Sequence, residues 1–286
     1  MLLKKSSKID YGKVKEFWEA KAEAKEARDP LVATTFCTRF PDGYAEYRNE
    51  TEKRHIFKKI RVGRNDLVLD LGCGVGGWAI EFAKKCAHVV AVDFSPKLLD
   101  LAKETAEAQH ILNIEFICSS AINFSYPVQF DLIFLGGLFK YLNDEDVEKV
   151  IAELKKLLKP NGKIISRESI NISEAQFRNE YDKTVEMVYQ AKYRRPEEYT
   201  ILFASNGFDL IYEMDTCSRL IPFSWSLYNH FLPPKIKTNK IVLSLARWEL
   251  NCLARIDFLL LRFRIFRHYR RGAFQRFFIY QHATVF

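Results

Sequence analysis

The chain has 286 residues, 48% of them apolar and 14% aromatic, with a formal net charge of +8. That content can fill a sizeable core and excludes global disorder, and the length allows one large α/β domain with insertions or one domain plus a small cap. The charge is uneven: from Arg219 onward twelve lysines and arginines stand against only Glu249 and Asp257, so basicity belongs to the C-terminal quarter.

The opening M-L-L-K-K-S-S-K has no apolar core of signal-peptide length, and no run of about 18 apolar residues predicts a spanning helix anywhere. Tyr11 to Lys25 is a strong helix former anchored by Phe17 and Trp18, and Pro30 ends it. A loop turning at Pro41-Asp42-Gly43 leads to a second helical stretch, Tyr44 to Ile60. Leu67 to Gly77 then reads L-V-L-D-L-G-C-G-V-G-G, followed by an amphipathic stretch over Trp78 to Cys86. This is the pattern of a buried parallel strand, a glycine turn that lets a ligand lie against bare main chain, and a helix packed on the strand. Asp70 falls at the strand's carboxyl end, facing the crevice where open α/β sheets bind ligands. Asp93 ends the next apolar run, nineteen residues beyond Gly74, where an acid typically accepts from ribose hydroxyls.

Ser95 and Pro96 cap and start a helix over Lys97 to Ala108; Asn113 to Cys118 is a third strand, with Ser119-Ser120-Ala121 at its end. Phe130 to Leu135 is a fourth strand opening into Gly136-Gly137-Leu138-Phe139-Lys140-Tyr141, and Asp144 to Leu158 is an amphipathic helix with acids first and lysines last. Lys159-Pro160-Asn161-Gly162 reads as a turn before a fifth strand, Lys163 to Ser166, which runs into Arg167-Glu168-Ser169. A helix is expected before Tyr193-Arg194-Arg195-Pro196, another over Pro196 to Asn206 capped by Gly207, and a sixth strand over Phe208 to Asp215. Ile241 to Arg271 is largely helical, with Leu245, Trp248, Cys252, Ile256, Leu259, Phe263 and Phe266 on one face and seven arginines around it. Arg276 to His282 is an aromatic strand.

The cysteines (37, 73, 86, 118, 217 and 252) show no C-x-x-C and no pairing with nearby histidines. Cys73, Cys86 and Cys118 are expected in the core, a reducing cytoplasm is the expected location, and neither a disulfide framework nor a metal site is indicated. None of the six histidines sits in a catalytic motif, and the sequence names no catalytic residue.

Gly72, Gly74 and Gly77 also satisfy the dinucleotide pattern G-x-G-x-x-G. Asp70 discriminates: a pyrophosphate would be repelled by a carboxylate beside it, whereas a ligand carrying an ammonium and a sulfonium would be attracted. V-L-D-L-G-C-G-V-G-G resembles the first motif of class I S-adenosylmethionine-dependent methyltransferases, and R-E-S after strand five, with Y-R-R-P beyond, is similar to a segment of phosphoethanolamine methyltransferases over some 30 residues. The resemblance implies a seven-stranded Rossmann-like α/β sheet, mostly parallel with an antiparallel last strand and helices on both faces, plus N-terminal helices and a helical insertion. The implied division is a helical lid at 1–60, a cofactor-binding domain at 61–220 and 273–286, and a basic insertion at 221–272.

In such a domain the cofactor would meet Asp70, Gly72, Cys73, Gly74, Asp93, Phe94 near the adenine, Ser120 and Ala121, and the main chain of Leu135 and Gly136. Ser120 stands where relatives carry an aspartate that binds the adenine amino group. The resemblance makes Trp18, Tyr44, Tyr47 and Arg48 lid residues, and puts Tyr141, Glu168 and Tyr193 with Trp18, Tyr47 and Arg48 on the substrate side. Each lid aromatic has the alternative of simply fixing helices to the sheet. No amino-directed base-methylation motif and no Pro-Cys nucleophile occurs, so nucleic acid is the lesser expectation as acceptor. The expected reaction is methyl transfer to an O or N atom of a small-molecule or lipid/glycan-linked acceptor. An RNA methyltransferase clamped by the basic insertion and a non-catalytic partner subunit are the rivals. The 241–271 helix suits an anionic membrane surface, hence a peripheral position on the inner membrane face, or a homodimer contact.

Overall fold

The computed structural model describes residues 8–23, 44–171, 174–215 and 273–284. The chain divides into two compact units, one of residues 1–34, 61–214 and 271–286, the other of residues 35–60 and 215–270. The stretch expected as one lid, 1–60, is thus shared between them. The expected helix at 241–271 lies outside the described residues.

The first unit is built on a seven-stranded sheet. Its strands are β1 (Leu67–Leu71), β2 (His88–Asp93), β3 (Ile114–Cys118), β4 (Phe130–Gly136), β5 (Leu158–Asn171), β8 (Phe208–Asp215) and β9 (Ala273–His282), in the order β3-β2-β1-β4-β5-β9-β8. Strands β1 to β5 pair in parallel and β9 runs antiparallel to β5, with Phe278 opposite Ser166. The aromatic end of the chain is therefore the expected antiparallel strand, inserted beside β5. The order reverses between β1 and β4, which opens a crevice at their carboxyl ends.

Helices α1 (Tyr11–Glu23), α3 (Gly77–Ala83), α4 (Pro96–Ala108), α5 (Asp144–Leu157) and α6 (Pro196–Ser205) surround the sheet. Alternating strand positions fill two cores. On one face Ile133, Leu135, Phe278 and Tyr280 meet Val147, Ile151, Tyr199 and Phe203, with Phe203 stacked on Tyr280 at a centroid distance of 3.8 Å. On the other, Trp78 packs on Phe134 at 4.7 Å and against Phe82 and Phe277. Ser95 accepts from the Leu98 N–H and Gly207 takes φ 81, so both expected helix caps are present.

Three expectations are corrected. Lys159 to Gly162 is not a free turn but part of β5, which pairs Leu158 with Phe130 and absorbs the irregularity as a register shift before Leu132. The helix expected before Tyr193 is a hairpin, β6 (Gln176–Asp182) and β7 (Met187–Tyr193), forming a separate two-stranded sheet. Its turn lacks a glycine signal; Asp182 Oδ1 instead accepts from the Thr184 N–H and hydroxyl, and Glu186 supplies a positive φ of 54°. Cys118 is exposed rather than in the core, because β3 is the sheet's edge, while Cys73 and Cys86 are buried.

In the second unit the described element is α2 (Tyr44–Lys59), which buries Glu52, His55 and Ile56. No helix among the described residues is long and apolar enough to cross a membrane.

Candidate cofactor and acceptor site

Strand β1 delivers Asp70, opposite Ala91 of β2, to the crevice, and the chain then reverses through left-handed Gly72, Gly74 and Gly76. Asp70 is 1% exposed, and neither carboxylate oxygen has a hydrogen-bond partner of normal geometry. Burial pushes its pKa up to about 8, the nearby Asp93 adds to the shift, and the Ala79 amide works against it. Leaving a buried carboxyl unpaired costs on the order of 1–3 kcal/mol or more, a penalty that a cationic ligand would remove.

Asp93 is handled differently. One oxygen accepts from the Gly74 N–H at 2.8 Å and the other from the Ser95 N–H at 3.0 Å, so the carboxylate ties the glycine turn to the start of α4. Burial still raises it to about 6, against the amides of Ser95, Gly74 and Phe94. Each oxygen keeps a lone pair for a further donor. Burial, with Asp93 and then Asp70 adding to it, also holds the Cys73 thiol well above its ordinary range.

The loop's amides decide between the two ligand classes. The N–H groups of Gly72 and Cys73 donate to the Val92 carbonyl, that of Gly74 to Asp93, and that of Gly76 to the Cys73 carbonyl. Four of the loop's amides are thus committed inside the protein. Gly74, by contrast, has φ +55 and open space where a side chain would begin, which leaves a bare surface for a ligand. An orphaned buried acid beside an open glycine suits a cation-bearing nucleoside and opposes a diphosphate.

The rest of the expected cofactor wall is mixed. Phe94 is half-buried, Ala121 packs against the core, and Leu135 and Gly136 end β4 next to the turn. Ser120 Oγ accepts from the Ile122 N–H at 3.3 Å, so its oxygen is in local use. Leu138 lies against Gly72, where an added Cβ would come 3.3 Å from its Cδ1.

Of the substrate-side residues, Trp18, Tyr141 and Tyr193 come together. The Trp18 and Tyr141 rings meet edge to face at 5.5 Å, Tyr141 meets Tyr189 at 6.2 Å, and the Tyr189 and Tyr193 hydroxyls lie 2.8 Å apart. Burial, then the neighbouring tyrosines, keeps Tyr141 and Tyr189 well above their ordinary range, so both are neutral donors. Two cations join them: Arg178 lies 4.7 Å over the Tyr193 ring with its Nε buried and without a hydrogen-bond partner of normal geometry, and Lys140 Nζ lies 4.9 Å over Tyr141. Glu168 is fully buried beneath the Phe139–Tyr141 turn, where its Oε1 accepts from the Phe139 N–H and the Ser166 hydroxyl. Tyr47 and Arg48 belong to α2 in the second unit, and their side chains lie outside the described residues.

Lys140, Arg178, Tyr189 and Arg194 join the site without having been expected there from the sequence. A signal existed for one of them: Tyr189 and Tyr193, four apart, share a face on a strand as they would on a helix.

Helix α1 closes over this surface. Ile9 and Asp10 donate from their main chain to Asn143 and Gln190, and Lys21 is buried against Asp182 and Thr184 at the hairpin turn.

Residues 68–162 match the family described as "Methyltransferase domain". That match takes in about a third of the chain and runs from β1 into β5, so this stretch is a methyltransferase domain. The chain is 29% identical over 192 residues to phosphoethanolamine N-methyltransferase 1 of Triticum aestivum, covering 66% of this chain and 35% of the relative. It is 34% identical over 117 residues to the demethylmenaquinone methyltransferase of Lactobacillus johnsonii, covering 39% and 47%. Among solved structures it is similar, at TM-score 0.50 and 19% identity, to Haemonchus contortus phosphoethanolamine N-methyltransferase 1 in complex with phosphoethanolamine and S-adenosylhomocysteine, covering 68% and 46%. The chain spans about a third of the length of the wheat relative. The likeness to the solved structure is one of fold, and the family match lies within the first unit.

Proposed function

We propose that this chain uses S-adenosylmethionine to methylate an O or N atom of a small-molecule acceptor, free or linked to a lipid or glycan. The observation that carries the reading is Asp70: a buried carboxyl with no hydrogen-bond partner of normal geometry, at the end of β1 in the crevice that the open Gly74 turn borders. In this reading Asp70 faces the ammonium end of the cofactor, Asp93 offers its remaining lone pairs to the ribose, and Leu138 and Gly136 border the methyl. The cofactor supplies an electrophilic methyl on a sulfonium. The protein's contribution is to hold the acceptor atom in line with it and to exclude water, and positioning of that kind accounts for a large part of the barrier.

The acceptor surface is read as Trp18, Lys140, Tyr141, Arg178, Tyr189 and Tyr193. Two cations and neutral hydroxyl donors suit an anionic group, and the ring faces suit an alkylammonium. An amine that also carries a phosphate or carboxylate has both, and the relatives named for phosphoethanolamine support that class. An amine acceptor must lose its proton before attack, and no residue is assigned to take it.

The concentration of arginines after Arg219 supports action at the cytoplasmic face of an anionic membrane. Calorimetry with S-adenosylhomocysteine, followed by transfer of labelled methyl to phosphoethanolamine and to phosphatidylethanolamine vesicles, tests the whole reading. Saturable binding and label in either acceptor are expected; absence of binding would leave only a scaffold role. Flotation with vesicles containing anionic lipid, beside sedimentation and an RNA gel shift, tests the membrane assignment, and a shift with RNA alone would overturn it.

A further inference from the structure

One side chain that the cofactor reading leaves unused is Arg194. It is 1% exposed and stands at the exit of the hairpin, where its carbonyl accepts from the Asn171 N–H of β5. Its guanidinium donates to the Phe139 carbonyl at 2.5 Å and the Leu142 carbonyl at 2.8 Å, and pairs with Asp144 at 2.7 Å. From β5, Glu168 accepts the Phe139 N–H at 3.4 Å. Both polar groups of one residue's main chain, the N–H and C=O of Phe139, are thus held by two buried, oppositely charged side chains from different elements.

We propose that Glu168 and Arg194 act as a two-sided clamp on Phe139 that sets the turn from Gly136 to Leu142. That turn carries Leu138 against the glycine loop and Lys140 and Tyr141 against the aromatic surface. What the clamp positions therefore rests on the function proposed above, although the clamp itself does not. Both are positioning residues, since neither touches the expected reacting atoms. Charge makes the clamp work: a carboxylate is a stronger acceptor than a neutral acid, and the planar fork of arginine reaches two carbonyls and an aspartate together.

The clamp is also sensitive to protonation. Burial raises Glu168 to about 7, opposed by Lys140 on the turn, the Phe139 amide, Arg194 and the Ser166 hydroxyl. Tyr199 of α6, Tyr280 of β9 and Tyr141 on the turn also face it, all neutral hydroxyls held well above their ordinary range. Its second oxygen has no hydrogen-bond partner, so a proton can be taken up there without breaking the bond to Phe139 outright.

Hydrogen exchange read by mass spectrometry on the full ligand-free chain tests this. In Glu168→Ala, peptides spanning residues 137–142 should exchange about tenfold faster or more, with the β2 peptide unchanged. Glu168→Gln, which keeps an acceptor oxygen, should restore most of the protection. For a local opening in which Phe139 leaves while Glu168 stays buried, losing the amide raises the acid further, so between about pH 6 and about pH 8 the wild-type turn, corrected for intrinsic rates, should gain protection, and Glu168→Gln should not. Arg194→Lys should speed exchange at Tyr141 and Leu142 several-fold. A folded Glu168→Ala protein with unchanged turn protection would overturn the proposal. If that variant does not fold, identical pH profiles for wild type and Glu168→Gln would do the same. Failure of the wild type to bind S-adenosylhomocysteine would instead remove the cofactor reading and leave the exchange result standing on its own.

Discussion

Asp70 and Asp93 occupy neighbouring strands, yet their surroundings give them opposite duties. Asp93 has two amide donors and holds the loop together; Asp70 has none of normal geometry, only the weaker pull of the Ala79 amide. A structural brace and a ligand partner respond differently to an isosteric change. Asp70→Asn removes the charge while keeping the shape, so the ligand-free protein should melt no lower, and higher near pH 8, where the wild type begins to ionise a buried acid. Affinity for S-adenosylhomocysteine should fall by about ten- to a hundredfold, the loss of roughly 1.5–3 kcal/mol expected for a hydrogen bond to a charged group. Calorimetry beside a thermal melt reads both. A drop in melting temperature with unchanged affinity would make Asp70 a brace. Asp93→Asn should do the reverse in part, loosening the turn by giving up charge at two amide contacts, and so lower stability as well as affinity.

At the scale of elements, β9 shows how far the sequence could be read. F-F-I-Y is an unbroken apolar run buried on both faces, and its placement between β5 and β8 follows from the topology of the resembled family, so the strand is legible in the sequence. The hairpin is not. Q-F-R-N-E-Y-D and M-V-Y-Q-A-K-Y contain good helix formers, and a two-stranded ribbon gains its stability from tertiary partners that no local pattern announces. Here those partners are α1, through buried Lys21 and Phe17, and the turn bearing Tyr141. The same gap explains the site: Asp70, the glycines and Asp93 are close in sequence and were readable, whereas Arg178, Tyr189 and Arg194 reach the turn only through a hairpin whose existence had to be seen. Within the core, Tyr280→Ala should cost about 3–5 kcal/mol by removing the ring stacked on Phe203. Tyr280→Phe should change stability by less than about 1 kcal/mol, because the lost hydroxyl is buried without a partner of normal geometry. Urea unfolding of both variants checks the pair, and equal losses would show that the hydroxyl holds a bond.

Across the whole molecule the buried acids set a pH dependence that ligand binding should invert. Asp70 at about 8, Glu168 at about 7 and Asp93 at about 6 all bind protons more tightly folded than unfolded. Their contribution is complete below about pH 4 and is lost as pH rises through these folded values, so the ligand-free protein should become less stable between about pH 5 and about pH 8. Asp131, Asp144 and Asp182 are shifted the other way by their lysine, arginine and amide partners, and their contribution is lost in acid, below the ordinary carboxylate range. Stability should therefore peak near pH 4 to 5, lower than in most proteins. A cationic ligand favours the ionised form of Asp70, so its binding near neutrality should release protons and tighten as pH rises to about 8. Calorimetry in two buffers of different ionisation enthalpy measures that release directly. Asp70→Asn should abolish the larger part of it and flatten the melting curve's decline above about pH 6. Binding that took up protons, or none exchanged at all, would mean that the charge meeting the ligand is not the one at the end of β1.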